Sequence, residues 1–382
     1  MDFNYVVAPA AIVLIGALVV WLSVRRIVSP TQKNLWPLRR VCERVTLSMT
    51  ALFTTAAAGT CAWNAIAIQV FRATNPPLGN LYSVNGHKMH IYCIGSGSPT
   101  VVLEAGLGVV TDVLTWGDFQ PKLDPTTRVC SYDRAGLGWS EPQPGSGDAD
   151  HIAANLHQLL AEANVAGPVV LMGHSMGGVY MRDYLAHYPA GVAGLVLVDS
   201  STPLQEQRFQ AMAGGRKELS TAPGFNLQKI LYILGVPRLV GRCGRPIPGW
   251  ESRAGKALGE DECQPRDASL SEYESLPLTG EETVHTGPFG ALPILIFSQD
   301  TTRWTEVPNP TRQAIDQANL WNQMQEDLKK LSTRSRRIIA KGSGHYIQGD
   351  RQELVLKETR LFIDQIRGSA PQPGNYGSTI TE

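Results

Sequence analysis

The 382-residue chain has no excess of either charge: 34 Lys and Arg stand against 34 Asp and Glu. It carries no dense basic helix, so nothing in it suits a nucleic-acid backbone. It also lacks clustered Cys/His spacings of the metal-binding kind and a dinucleotide-type glycine fingerprint, so neither a metal nor an organic cofactor is expected. No internal repeat is visible. Before the first apolar segment there is Asp2 and no basic residue, which argues against a cleaved signal peptide, since that needs a positive n-region.

What is present begins with that segment, YVVAPAAIVLIGALVVWLSV at Tyr5–Val24. About 20 uncharged residues match the hydrocarbon thickness of a bilayer. A second, weaker apolar segment at Thr46–Phe71 is rich in Ala and Thr and holds Asn64 and Gln69. Between the two lie Arg25, Arg26, Lys33, Arg39, Arg40 and Arg44, with Glu43 opposing them. Positive loops stay in the cytoplasm, so a two-helix hairpin over residues 1–72 would leave the downstream domain extracytoplasmic. If the second segment is instead a surface helix, a single span reverses that side. The lipid bilayer is the one macromolecular partner expected; oligomeric state is not legible. Cys243 and Cys263 flank a Gly/Pro-rich stretch, where an oxidising compartment would permit a bridge. Two free thiols are the alternative.

Residues 73–80, with their paired prolines, read as a linker. A hairpin follows, turning at Asn85-Gly86. Short apolar runs then alternate with helical patterns: TVVLEAG, RVCSYD, PVVLMG, GLVLVDS, LPILIFSQD and RRIIAKG. This pattern predicts an α/β fold with a mainly parallel sheet of about eight strands, covered on both faces. The core occupies 81–200 and 292–367. Residues 201–291 contain no strand pattern and read as a helical insertion. Its apolar stretch Phe225–Val240 is either the insertion's own core or a wall facing substrate or bilayer. The tail 368–382 reads as disordered.

Gly173-His174-Ser175-Met176-Gly177 fits G-x-S-x-G between a strand and a helix. That context suits a nucleophilic serine at a tight turn, with small neighbours to avoid collision. A serine hydroxyl needs a base. Among eight histidines, His345 alone follows a strand end late in the chain, at the edge where open α/β sheets bind ligands. His174, next to the serine, is expected to pack or hydrogen-bond rather than act as the base. Asp300, ending LPILIFSQD, is the favoured third member; Asp199, ending GLVLVDS, is the alternative acid, and Glu306 is more remote. The backbone N–H groups of Met176 and of Leu107, within EAGLG, are the candidate oxyanion donors.

Four motifs in order, VVLEAGLG, YDRAGLGWS, GHSMGG and SGHYIQ, resemble the α/β-hydrolase superfamily over Leu81 to Arg367. The resemblance implies that fold, a helical cap at 201–291, and structural roles for Asp133 and Arg134. Many relatives have His-Gly in the oxyanion loop where this chain has Ala105-Gly106. A serine at position 175 disfavours haloalkane dehalogenases and epoxide hydrolases, which have aspartate there. The expectation is therefore a membrane-anchored serine hydrolase acting on carboxylic esters, with lipophilic substrates favoured. C–C bond or amide hydrolysis by the same groups, or ligand binding without catalysis, remain open.

Overall fold

The computed structural model describes residues 14–23, 25, 37–109, 111, 115–145, 147–212, 230–245, 259–260, 263–264 and 267–382. The chain divides into two compact units, one comprising 1–76, 223–245 and 259–266, the other the remainder.

In the first unit, α1 (Leu14–Ser23) is a short apolar helix and α2 (Pro37–Thr74) a long one. Among the described residues, one helix, Val41–Thr74, is long and apolar enough to cross a membrane. Residues 5–13 and 24 of the first expected span lie outside the described residues. Gly16 lets α1 approach α2 closely: a Cβ there would lie 3.3 Å from the Thr54 carbonyl oxygen and 3.4 Å from the Ala58 methyl. Small residues at such a crossing are what association in lipid favours. Thr50 and Thr55 donate their hydroxyls to carbonyls four residues back, both at 2.8 Å, so these polar groups need no water. Val45, Met49, Leu52 and Phe53 point outward.

The C-terminal end of α2 is polar and engaged. Asn64 is buried; its amide donates to the Tyr232 carbonyl at 2.9 Å and accepts from Arg238 Nε at 3.0 Å. Arg72 donates to Gln264 at 3.2 Å. Arg238 pairs with Glu260, and Cys243 is bridged to Cys263. The described part of the apolar stretch thus packs on α2 through its polar atoms, while Ile230, Leu239 and Val240 are exposed.

The second unit is built on a nine-stranded sheet in the order β1-β2-β4-β3-β5-β6-β7-β8-β9. Its strands are β1 (Asn80–Val84), β2 (His87–Ile94), β3 (Thr100–Glu104), β4 (Val129–Tyr132), β5 (Val169–His174), β6 (Val192–Val198), β7 (Ile294–Gln299), β8 (Ser335–Ala340) and β9 (Thr379–Thr381). Asn85 and Gly86 both have positive φ, the two-residue hairpin turn that matches strand twist. β2 pairs antiparallel with β1 and β4; from β3 onward the pairings are parallel. Cys93 and Cys130 face each other across β2 and β4 and are bridged, a pairing that the sequence pattern did not predict.

The uninterrupted apolar runs are explained by burial on both faces. Val102, Leu171, Leu195, Leu197 and Ile296 point to one side. There they meet α3 (Ala149–Glu162) through Leu156 and Leu159, and α4 (Met176–His187) through Met181 and Leu185. Val101, Val170, Met172, Val196 and Phe297 point to the other, where Val355, Phe362 and Ile363 of α9 (Gln352–Arg367) cover them. Each fully buried Val, Leu or Phe contributes about 1.5–3 kcal/mol. Asp148 caps α3 by accepting from His151 N at 2.9 Å, and Gly368 ends α9 in the left-handed region.

Between these lie α5 (Gln205–Met212), α6 (Asp267–Glu274), α7 (Leu276–Thr283) and α8 (Arg312–Asp327). The expected insertion contains no strand among its described residues. The tail corrects the expectation of disorder: residues 379–381 form β9 on the edge of β8. A free edge of β8 would leave backbone donors and acceptors unpaired. The tail satisfies them and is held by Lys329, whose ammonium reaches the Gly377 carbonyl at 2.8 Å and Thr379 Oγ1 at 3.0 Å.

Candidate active site

Ser175 sits between β5 and α4 with φ 55 and ψ −126, a conformation that costs a non-glycine residue energy. The surroundings impose it. Ser175 N donates to the Val198 carbonyl at 3.0 Å, and its own carbonyl accepts from Gly178 N at 3.0 Å and Ser201 N at 2.9 Å. The glycines are required by contact. A Cβ on Gly173 would lie 2.4 Å from the Gly177 carbonyl oxygen, and one on Gly177 would lie 2.4 Å from that of Ala105. The turn therefore lifts the hydroxyl to the carboxyl edge of the sheet, at the N-terminus of α4, where backbone N–H groups and the helix dipole face an anion.

His345 follows β8. Its Nδ1 lies 2.6 Å from Asp199 Oδ2, and its side chain is 37% exposed while the carboxylate is fully buried. The expectation that Asp300 orients His345 is corrected here. Asp199 leaves β6 with φ 42, which turns its side chain toward the histidine. Its other oxygen accepts from Gln299 N and from Trp321 Nε1 of α8, each at 3.0 Å. Both carboxylate oxygens are thus occupied and the group has one orientation. Asp300 serves its own turn instead, accepting from Thr302 N at 3.1 Å, Thr302 Oγ1 at 2.7 Å and Gly342 N at 2.9 Å. These hydrogen bonds outweigh burial and hold its carboxyl below the usual range. Asp-Thr-Thr heading a helical turn is a capping pattern, the one sequence signal that could have removed Asp300 from the comparison.

His174 is buried, and its Nε2 lies 3.0 Å from the His345 carbonyl oxygen. Burial, aided by the neighbouring His345, pushes its pKa down to about 3, so it is neutral. A neutral ring facing a carbonyl donates from Nε2. It therefore ties the loop carrying His345 to the residue next to Ser175.

The loop after β3 lies against the serine: a Cβ on Gly106 would come 3.2 Å from Ser175 Cβ and 3.6 Å from its Oγ. Behind this loop is a buried ion network that sequence reasoning missed. Arg134 Nε pairs with Glu272 Oε1 of α6 at 2.6 Å, and its Nη1 pairs with Glu104. Arg134 Nη2 donates to the Gly106 carbonyl at 2.9 Å, and Gly108 N donates to Glu272 Oε2 at 2.7 Å. The loop's backbone is held at Ala105, Gly106 and Gly108, the last also by Ser269 Oγ donating to its carbonyl at 3.1 Å. Glu104, a charge within a buried strand, was the available signal, since such a group needs a partner. Asp133 accepts from His90 Nδ1 and Thr111 Oγ1, each at 2.7 Å, and from Trp139 N at 3.1 Å, a structural role as expected. Glu306 has no place in the cleft.

A cleft of about 740 Å³ has Ser175 and His345 in its wall, together with Phe209, Trp304 and Trp321 and the polar Gln205, Gln299 and Arg303. A serine hydroxyl, an imidazole oriented by a buried carboxylate and a helix N-terminus facing one cleft constitute the parts needed for acyl transfer.

Comparison with known proteins identifies the family. A profile of the alpha/beta hydrolase family matches residues 101–358. An "AB hydrolase superfamily protein" of Gibberella zeae is 25% identical over 290 residues, 70% of this chain and 87% of that one. An uncharacterized protein of Schizosaccharomyces pombe, C23C11.06c, is 33% identical over 152 residues, 32% of this chain and 28% of its own length. The chain thus spans well under two thirds of that relative. Among solved structures, an esterase from Exiguobacterium antarcticum superposes with a TM-score of 0.51 at 16% identity, over 76% of this chain and 99% of that one, a likeness of fold. The chain belongs to the alpha/beta hydrolase family.

Proposed function

We propose that the protein is a membrane-anchored serine hydrolase that cleaves carboxylic esters. The observation that carries this reading is the 2.6 Å contact of His345 Nδ1 with the buried Asp199 carboxylate, in the same cleft as a serine held at positive φ. With Nδ1 donating to Asp199, Nε2 is left as the base. It takes the Ser175 proton as Oγ attacks the ester carbonyl, then delivers that proton to the departing alkoxide. The resulting acyl-serine is cleaved by a water that His345 deprotonates. The N–H groups of Met176 and Leu107 serve the oxyanion in both steps. The Phe209, Trp304 and Trp321 rings offer an apolar seat for the acyl or alcohol part, in keeping with lipophilic esters. Two disulfides, the apolar α2 and the basic residues before it and in its first turns support a tethered domain on the oxidising side of a membrane.

A fluorophosphonate probe on the full chain in detergent tests the reading. Labelling of the wild type and none of Ser175→Ala is expected, with turnover of p-nitrophenyl esters of graded chain length. A folded wild type that neither labels nor turns over would refute it and favour a ligand-binding role.

A further inference from the structure

At the far end of α4, about 12–18 Å along the helix from Ser175 at 1.5 Å per residue, is a second constellation. Asp183 is fully buried, and no donor meets its carboxylate oxygens at full hydrogen-bond geometry; its nearest side-chain partners are His187 and Asp150. His187 lies one turn further on, half exposed, with Nδ1 3.4 Å from Asp183 Oδ2 and Nε2 3.8 Å from Asp150 Oδ1, on the first turn of α3. Donor atoms of all three residues fall within 4.8 Å of one another. Adjacent ligands around a metal with bonds of about 2.0–2.2 Å stand about 3–3.5 Å apart, so small side-chain movements would close the set.

The surroundings fit a cation better than a hydrogen-bonded cluster. A buried carboxylate with few donors is costly; Arg182 next to it sends its Nη2 to the Thr286 carbonyl at 2.9 Å and interacts with Asp183 through charge alone. The carboxylates of Asp150 and Glu282 lie near Asp183 and add negative charge to the site. Glu282 of α7 is itself engaged, accepting from Ala149 N at 3.1 Å and Asp150 N at 3.3 Å at the start of α3. His187 Nδ1 lies 3.1 Å from the Asp183 carbonyl oxygen. Donation there selects the tautomer with a lone pair on Nε2, the arrangement metal-ligating histidines use.

We propose that Asp150, Asp183 and His187 form a divalent transition-metal site of the zinc type, with water completing the coordination. Two carboxylates and one imidazole are a ligand set zinc accepts, and the half-exposed Asp150 and His187 leave an entry path. The ion would tie the start of α3 to the end of α4, a structural role separate from Ser175.

The test is isothermal titration of the full chain, purified without a polyhistidine tag, stripped with chelator and titrated with Zn²⁺, alongside Ca²⁺ as an oxygen-preferring control. One saturable Zn²⁺ equivalent is expected, unchanged in Ser175→Ala. Asp150→Asn and His187→Gln, both at half-exposed positions, should each weaken it more than about tenfold, since even supporting groups outside the ligand set are worth about 10–100-fold. No saturable Zn²⁺ binding, saturation by Ca²⁺ in its place, or wild-type affinity in either variant overturns the proposal. Because binding is read in Ser175→Ala as well, its failure is distinguishable from failure of the hydrolase reading.

Discussion

Replacing Asp199 by asparagine changes one atom, and the neighbouring donors dictate how the new side chain must sit. Asp199 Oδ1 accepts two N–H groups, from Gln299 and Trp321. An amide nitrogen there would face two donors, so the amide oxygen of the substituted side chain must take that seat. Its NH₂ then points at His345 Nδ1, which must become an acceptor. The imidazole proton moves to Nε2, the atom that should receive the Ser175 proton. Loss of the base tautomer lowers turnover by about 10⁴-fold, equivalent to about 5.4 kcal/mol at 1.36 kcal/mol per decade. The fold should be retained, because size and the two retained hydrogen bonds are unchanged. Trp321→Phe replaces the indole by a smaller aromatic ring and removes one donor to the carboxylate, so a smaller loss of about tenfold is expected, in line with about 1.5 kcal/mol for a hydrogen bond to a charged group. Asp300→Asn gives up one acceptor at Gly342 N or Thr302 and should cost about 1–3 kcal/mol of stability with little change in turnover. The assay is kcat on a p-nitrophenyl ester, with thermal melting in parallel. An Asp199→Asn enzyme within tenfold of wild type, beside an Asp300→Asn enzyme that has lost three orders of magnitude, would refute the assignment.

Arg134→Met leaves Glu104 and Glu272 as uncompensated buried carboxylates, and a loss of about 3–5 kcal/mol is expected by denaturant or thermal unfolding; no measurable loss would show that the network is not needed. His174 sets an acid sensitivity. Its folded pKa of about 3 lies below the value of about 6.5 for an unfolded histidine, so the unfolded chain binds the extra proton between those values. Stability should therefore fall as pH drops below about 6.5, by up to about 1.4 kcal/mol per pH unit from this residue. His174→Gln should have a flatter melting-temperature profile between pH 4 and 6.5 than wild type; parallel profiles would contradict the burial argument.

The alternation of apolar runs with helical patterns placed the strands of the core, because a doubly covered parallel strand must be apolar on both faces. The G-x-S-x-G turn was legible because the Gly173 contact with the Gly177 carbonyl is made within the turn itself, whereas the Gly177 contact with the Ala105 carbonyl comes from the loop after β3. β9 was illegible because its residues are ordinary tail composition, and only the unpaired edge of β8 makes them a strand. The Cys93–Cys130 bridge was hidden because it depends on the antiparallel register of β2 against β4, between residues 37 positions apart.

By itself the sequence determined the class of fold, the serine at the strained turn and the late histidine, since each rests on short-range pattern: burial period, steric room, strand end. Tertiary structure alone decided which of two strand-end aspartates reaches that histidine, and which buried charges hold the loop after β3. Both carboxylates end neighbouring strands in similar local sequence. The direction each side chain takes depends on the φ at Asp199, on the donors Gln299 and Trp321, and on the turn that claims Asp300, and these meet only when distant segments of the chain are packed together.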